Sequence, residues 1–249
     1  MLQYSIDLNN NQTGNASVNH LYAVKKTAGL RELINHHREY LLLKRGIDIT
    51  LSLVVTVFLL SWLIPLIGLL IKLDSRGPVL FVQKRIGRFG KPFWCLKFRT
   101  MVLNTESDQK AAVENDSRIT RIGRLLRLSN IDEFPQFINV LTGSMSIVGP
   151  RPHMLTDCGK FSAIQPGYKF RNLVKPGLTG LAQVKGYHGP AWSIESITLR
   201  FFWDKQYIYR FSLLLDIKII LQTILQYLGA LFSPGISKSS VPKHFWHHS

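Results

Sequence analysis

The 249 residues carry Lys+Arg 31 against Asp+Glu 15, a formal net charge of +16, so the partners should be anions: nucleic acid, anionic lipid or phosphate-bearing substrates. A chain of this length holds one sizeable domain plus appendages, which excludes two full domains. Cys95 and Cys158, the only cysteines, exclude a disulfide framework and a cysteine metal cluster and suit a reducing compartment, and the eight histidines form no HExxH motif.

Residues 1–28 are polar, rich in Asn and without sustained period, so they are expected to be poorly ordered; the sequons at Asn11 and Asn15 are read as chance. From Leu30, the positions Leu33, Ile34, His37 and Leu41 keep helical spacing beside Arg31, Arg38 and Lys44. This predicts an interfacial amphipathic helix over 29–46. It leads into "IDITLSLVVTVFLLSWLIPLIGLLI", residues 47–71, whose one ionisable residue is Asp48. As a single helix this stretch would measure about 37 Å, enough to cross a hydrocarbon core of about 30 Å. Six Lys/Arg lie between Lys25 and Arg45 and six between Lys72 and Lys91, so neither end is the more cytoplasmic by charge. A re-entrant hairpin satisfies both ends, and Pro65 could supply its bend because it cannot donate to the carbonyl of Ser61. An ordinary span remains open on the residues alone.

Past the membrane segment, "PVLFVQKRIGRFGKPFWCLKFRTM" predicts two strands joined by a glycine-containing turn. Lys97 and Arg99, two apart, should share a face, as should Gln83 and Arg85. Residues 102–117 read as a polar loop or short helix. "RIGRLLRL" predicts a basic helix with Ile122, Leu125 and Leu126 on one side and Arg121, Arg124 and Arg127 directed to anionic lipid. In "NIDEFPQFINVLTG" the apolar residues Phe134, Phe137, Ile138 and Leu141 have helical spacing and Gly143 terminates them, so a helix is expected to start near Asp132. Asp132 and Glu133 then lie in its first turn, where the dipole favours ionised, accessible carboxylates. Acids there are commonly caps contributing about 1 kcal/mol. Adjacent helical residues are rotated by about 100°, so the pair cannot flank a sugar as glycosidase acids do. It suits one attacking carboxylate with a neighbour that binds a metal or handles a proton, and the surrounding Lys and Arg suit a phosphorus electrophile. Near the end, "SLLLDIKIILQTILQYL" predicts a packed or interfacial helix, since Asp216 and Lys218 disfavour a second span.

The motif series "KRGID", "QKRIGRFGKPF", "KFRTM", "ITRIGRLLR", "DEFPQFINVLTGSMSIVGPRP", "KPGLTGLAQVKGY", the pattern Arg200, Asp204, Tyr207 and "SLLLDIKIILQT" resembles, in order and spacing from Lys44 to Leu225, the bacterial sugar transferases, also called monotopic phosphoglycosyl transferases. The chain looks like a short form, lacking the N-terminal multi-span region of many relatives. The resemblance implies transfer of a sugar 1-phosphate from a UDP-sugar donor to a polyprenyl phosphate acceptor, through a phosphosugar covalently held on Asp132. It implies Glu133 as ligand of Mg2+; Lys97, Arg99 and Arg151 as phosphate contacts; Gln136 as an orienting group; and Gln83 and Arg85 as further substrate contacts. The expected fold is α+β, mostly helical: a catalytic domain over 72–232 facing the cytoplasm on the bacterial inner membrane, a re-entrant helix over 47–71 and a tail over 233–249. Anionic inner-leaflet lipids are expected partners, nucleic acid is not, and a homo-oligomer is left open. Two other readings stand beside this one. A glycosyltransferase moving the sugar without its phosphate is weakened by the absence of a DxD motif, and a basic membrane or nucleic-acid scaffold leaves the acid pair unexplained.

Overall fold

The structure, a computed structural model, describes residues 38–103, 116–187 and 193–232. The segments expected at 1–28 and 233–249, the first part of the amphipathic helix and most of the polar stretch after residue 103 lie outside the described residues. Contacts divide the chain into two units, residues 1–43 and 44–249. Of the first, only Arg38–Leu43 are described, and they form the opening of helix α1 (Arg38–Val55). The second unit is mostly helical with two small sheets.

α1 continues through a π-helical turn (Thr56–Leu60) into α2 (Ser61–Asp74), and among the described residues this 37-residue run is the one helix long and apolar enough to cross a membrane. The departure from α geometry falls before Pro65 rather than at it. The wider turn closes with the Ser61 N–H on the Thr56 carbonyl, and Pro65 lies within the α segment that follows. Two polar side chains here bond back into the helix, Ser61 Oγ donating to the Val57 carbonyl (2.6 Å) and Trp62 Nε1 to that of Phe58 (2.9 Å), whereas the buried hydroxyls of Ser52 and Thr56 have no partner among the described residues.

Leu60, Leu63, Ile67 and Ile71, spaced three and four apart, form a stripe buried against Phe98 and Leu126. The opposite face leaves Leu53, Val57, Phe58, Trp62, Leu66, Leu69 and Leu73 exposed. An apolar face of this extent on a folded chain marks contact with lipid or another protein.

The "KRGID" residues fasten the other end of the run. Lys44 Nζ bonds Asp216 Oδ2 (2.6 Å), and Arg45 donates to the carbonyls of Val140 (2.7 Å) and Leu141 (2.9 Å). Asp48, buried, accepts from Ser146 Oγ (3.1 Å) and the Ile147 N–H (2.9 Å). A lone carboxylate in an apolar helix is thereby satisfied by Ser146 and Ile147. Arg45 thereby supplies donors and positive charge at the C-terminal end of a helix.

Strands β1 (Leu80–Ile86) and β2 (Pro92–Phe98) form the expected antiparallel hairpin, paired from Leu80↔Phe98 to Ile86↔Pro92. Its turn carries Phe89 and Gly90 at positive φ. Helix α3 (Arg121–Ser129) starts at Thr120, whose Oγ1 accepts from the Gly123 N–H (3.0 Å), and ends at Asn130, which is left-handed (φ 54°). The apolar side differs from expectation: Leu126 is buried but Leu125 is 62% exposed. Gly123 decides this rotation by lying so close to β2's exit that a Cβ there would stand 2.0 Å from the Thr100 carbonyl oxygen.

Helix α4 (Gln136–Leu141) precedes strand β3 (Ser146–Val148), which pairs in parallel with β4 (Gly177–Thr179). Helix α5 (Leu155–Ile164) and a 3-10 segment (Tyr168–Leu173) form the crossover. The glycines of "KPGLTG" serve close backbone approach, since a Cβ on Gly177 would lie 2.1 Å from the Gly149 nitrogen. The Gly177 N–H is itself committed to the Pro150 carbonyl (3.0 Å). A short helix α6 (Leu181–Val184) then leads toward α7 (Ile194–Arg210) and α8 (Leu213–Phe232).

Candidate active site

The acid pair does not open a helix, as its spacing had suggested. After Asn130 the chain makes a 3-10 turn (Ile131–Glu133), and α4 begins only at Gln136, behind the buried Pro135. Ile131, Phe134, Phe137 and Ile138 pack on the apolar cluster of α2. The turn bearing the acids is therefore fixed to the same seam that holds the membrane-type helix.

The two carboxylates have opposite environments. Glu133 lies between two cations: Lys97 Nζ is 2.6 Å from Oε1, and Arg151 grips the carboxylate in a two-pronged fashion, Nη2 to Oε1 at 2.6 Å and Nη1 to Oε2 at 2.9 Å. Burial alone would raise this carboxyl, but Arg151 and Lys97 outweigh it and hold it well below the usual range. The same pairing raises Arg151. Asp132 is 9% exposed, which corrects the expectation of a freely accessible side chain. The 3-10 turn directs it inward rather than outward as a first helical turn would. Burial pushes Asp132 up; Lys97 opposes this, Glu133 adds to it, and Arg127 and Arg151 oppose it further.

Lys97, Glu133 and Arg151 are thus brought together beside Asp132, with the Arg85 charge acting on Glu133 and Arg151, while Arg99 falls elsewhere. Arg99 lies beyond the end of β2, buried, and donates to the carbonyls of Ser75 (2.7 Å) and Arg76, closing the end of α2. Gln83 and Arg85 join β1 to the residues after the "GPRP" turn: Gln83 Nε2 reaches Met154 Sδ (3.4 Å), and Arg85 donates to Gln83 Oε1 and the Pro152 carbonyl (3.2 Å). Gln136 is buried at the head of α4.

Arg127, expected to face lipid, donates Nε to Thr100 Oγ1 (2.8 Å) and its charge acts on Asp132. The signal was present: each step of three residues drifts by about 60° around a helix, so Arg127 faces roughly 120° away from Arg121. Arg171 and Asp204, whose buried ion pair lies behind Arg151, were likewise not singled out as site residues.

Among the described residues no three His, Cys, Asp or Glu side chains converge as a metal cage. Mg2+ rarely needs one, being held by one or two carboxylates together with substrate phosphates. Glu133 accepts three hydrogen bonds, two on Oε1 and one on Oε2, which leaves one of a carboxylate's four lone-pair positions open on Oε2. The donor set therefore fits a Mg2+ that arrives already bound to a diphosphate, with Glu133 as its protein ligand.

A family model described as bacterial sugar transferase matches residues 39–230. The chain belongs to the bacterial sugar transferase family. A relative from Escherichia coli (strain K12), UDP-glucose:undecaprenyl-phosphate glucose-1-phosphate transferase, is 44% identical over 184 residues, covering 74% of this chain and 39% of that protein. UDP-N-acetylgalactosamine-undecaprenyl-phosphate N-acetylgalactosaminephosphotransferase of Aeromonas hydrophila is 40% identical over 213 residues, 85% of this chain and 48% of that one. The exopolysaccharide production protein PSS of Rhizobium leguminosarum bv. phaseoli is 43% identical over 189 residues, 74% of this chain and 94% of that protein. This sugar transferase homologue thus spans under half the length of the first two relatives. Its match covers every residue of the cationic acid site, since Lys97, Arg127, Asp132, Glu133 and Arg151 all lie within 39–230.

Proposed function

We propose that the chain transfers a sugar 1-phosphate from a UDP-sugar to polyprenyl phosphate, the membrane step that starts assembly of an exopolysaccharide, capsule or O-antigen type glycan. The observation that carries this reading is a carboxylate, Asp132, held beside a second one that is clamped by Lys97 and Arg151. Asp132 attacks the phosphorus that bears the sugar, and the bond from that phosphorus to the bridging oxygen of UMP breaks. UMP leaves, and the aspartate holds the phosphosugar. An oxygen of the lipid phosphate then attacks the same phosphorus, forms the diphosphate-linked product and frees Asp132.

Lys97, Arg127 and Arg151 offset the repulsion between an anionic nucleophile and an anionic phosphate. Glu133 keeps Lys97 and Arg151 in place, and would share them with the donor's phosphates as it binds. Glu133 would hold a Mg2+ that comes with the donor, and the ion would supply charge neutralisation on the departing nucleotide.

The enzyme lies on the bacterial inner membrane, with its catalytic unit in the cytoplasm and the 47–71 segment re-entering the leaflet it came from. Support comes from both flanks of that segment being fastened to one catalytic unit: Lys44, Arg45 and Asp48 bond α8, α4 and β3, while Leu60 to Ile71 pack on Phe98 and Leu126. The exposed apolar face between them meets lipid, and Arg121 and Arg124 meet anionic head groups. A soluble donor and a lipid phosphate then reach Asp132 together.

The test is incubation of purified protein with a panel of UDP-sugars, lipid omitted, and intact-mass analysis. Wild type should gain one phosphosugar and release UMP, and Asp132→Asn should do neither. Release of UDP instead supports the glycosyltransferase reading, and full turnover by Asp132→Asn removes Asp132 as nucleophile.

A further inference from the structure

Behind the acid pair lies a second ion pair that the proposed chemistry does not use. Arg171, 4% exposed in the 3-10 segment, donates Nε to Asp204 Oδ2 (2.9 Å), and its Nη2 lies 2.8 Å from the same oxygen. Asp204 comes from α7 and is 2% exposed. Removing both charges from water costs several kcal/mol per ion, and apolar side chains of similar volume often serve stability as well or better. Folding alone therefore gives a weak reason for these residues.

The contact that an apolar pair could not make is the one from Arg171 Nη2 to the Arg151 carbonyl (2.7 Å). It belongs to a series of bonds along the "GPRP" turn. Gly149 N–H donates to the Thr179 carbonyl (2.9 Å), the Pro150 carbonyl accepts from the Gly177 N–H (3.0 Å), and the His153 carbonyl accepts from the Ile86 N–H (3.0 Å). Arg85 holds the Pro152 carbonyl. Strands or the hairpin fix every position but 151. There the main chain is held by a buried guanidinium, itself fixed by Asp204.

We infer that Arg171, held by Asp204, is a positioning residue: it sets the backbone of Arg151 so that the Arg151 guanidinium meets Glu133 with both prongs. Asp204 supplies the charge that keeps Arg171 buried and fixes the plane of its fork, leaving Nη2 directed at the Arg151 carbonyl. The chain of contacts runs Asp204, Arg171, Arg151, Glu133 without a gap, every link 2.9 Å or shorter. The inference rests on the reaction proposed above. A group displaced by about 1 Å in a reacting site can cost on the order of 100-fold in rate.

Three variants of the full chain in detergent or nanodiscs test it, read by UMP release and thermal unfolding. Arg171→Lys keeps the charge opposite Asp204 but not the planar fork; it should unfold as wild type does and lose kcat on the order of 100-fold, with KM for the donor little changed. Arg171→Met/Asp204→Leu should still fold, with a Tm lowered by no more than the lost donor to the Arg151 carbonyl accounts for, and stay equally slow. In an Arg151→Lys background, Arg171→Lys should cost far less than it does alone, because both substitutions break the same link. Wild-type kcat in either of the first two variants, or full multiplication of the two losses in the third, overturns the inference and leaves the reaction standing. Wild-type protein that releases no UMP overturns the reaction itself.

Discussion

Replacing Glu133 by Gln tests the centre of the site. The side chain is nearly isosteric, so packing is kept while charge and one acceptor are lost. Oε1 receives two of the three hydrogen bonds, from Lys97 and Arg151, so the new amide nitrogen is driven to the Oε2 position, where it faces Arg151 Nη1 donor to donor. One charge-assisted bond disappears and two cations lose their counter-ion. Breaking a buried pair typically costs about 3–5 kcal/mol, and the side chains of Glu133 and Arg151 retain 17% and 29% exposure, so about 3 kcal/mol is expected. For a chain of this size that corresponds to a Tm lower by roughly 6–12 °C. Thermal unfolding of the purified variant measures it, with UMP release in parallel expected to fall severely as Lys97 and Arg151 separate. Lys97→Met in the same background should then cost less than it does in wild type. A Tm within about 2 °C of wild type, against the roughly 6–12 °C worked out above, would refute the claim that Glu133 holds this cluster together.

Asp48→Ala leaves the buried Ile147 N–H and Ser146 hydroxyl without their acceptor, at about 1–3 kcal/mol each, and should lower Tm while exposing the 146–148 strand to protease; an unchanged digestion pattern counts against the proposed anchor. Gly123→Ala must move α3 away from the Thr100 carbonyl, an overpacking cost of about 1–3 kcal/mol that outweighs the better helix propensity of Ala, so a variant more stable than wild type would contradict the close approach. His153 is buried beside Phe161 and Tyr168, whose hydroxyl is 3.0 Å from Nδ1, and burial with nearby Arg171 and Arg200 holds its pKa well below the ordinary value. The unfolded chain therefore binds the extra proton below about pH 6.5, and stability should fall as pH drops through that value, by up to about 1.4 kcal/mol per unit. His153→Gln should flatten that decline in a Tm series from pH 7.5 to 5; an equal slope in both proteins would exclude His153 as its source.

Local patterns in the sequence were enough to reveal the apolar run, the hairpin at 80–98, the basic helix, the acid pair and the family, because each is a matter of period, turn chemistry or motif order over a few residues. Three features needed the tertiary structure. Lys97 and Arg99 share an alternation pattern, yet the strand ends between them, and only the fold sends one to Glu133 and the other to the end of α2. Asp132 and Glu133 are neighbours with the same chemistry, but burial raises one carboxyl while two cations from distant segments depress the other. The Arg171–Asp204 pair joins residues 33 apart behind Arg151. Local rules reach about one helical turn or one hairpin, whereas dielectric surroundings and charge partners are set by whatever the chain brings in from far away.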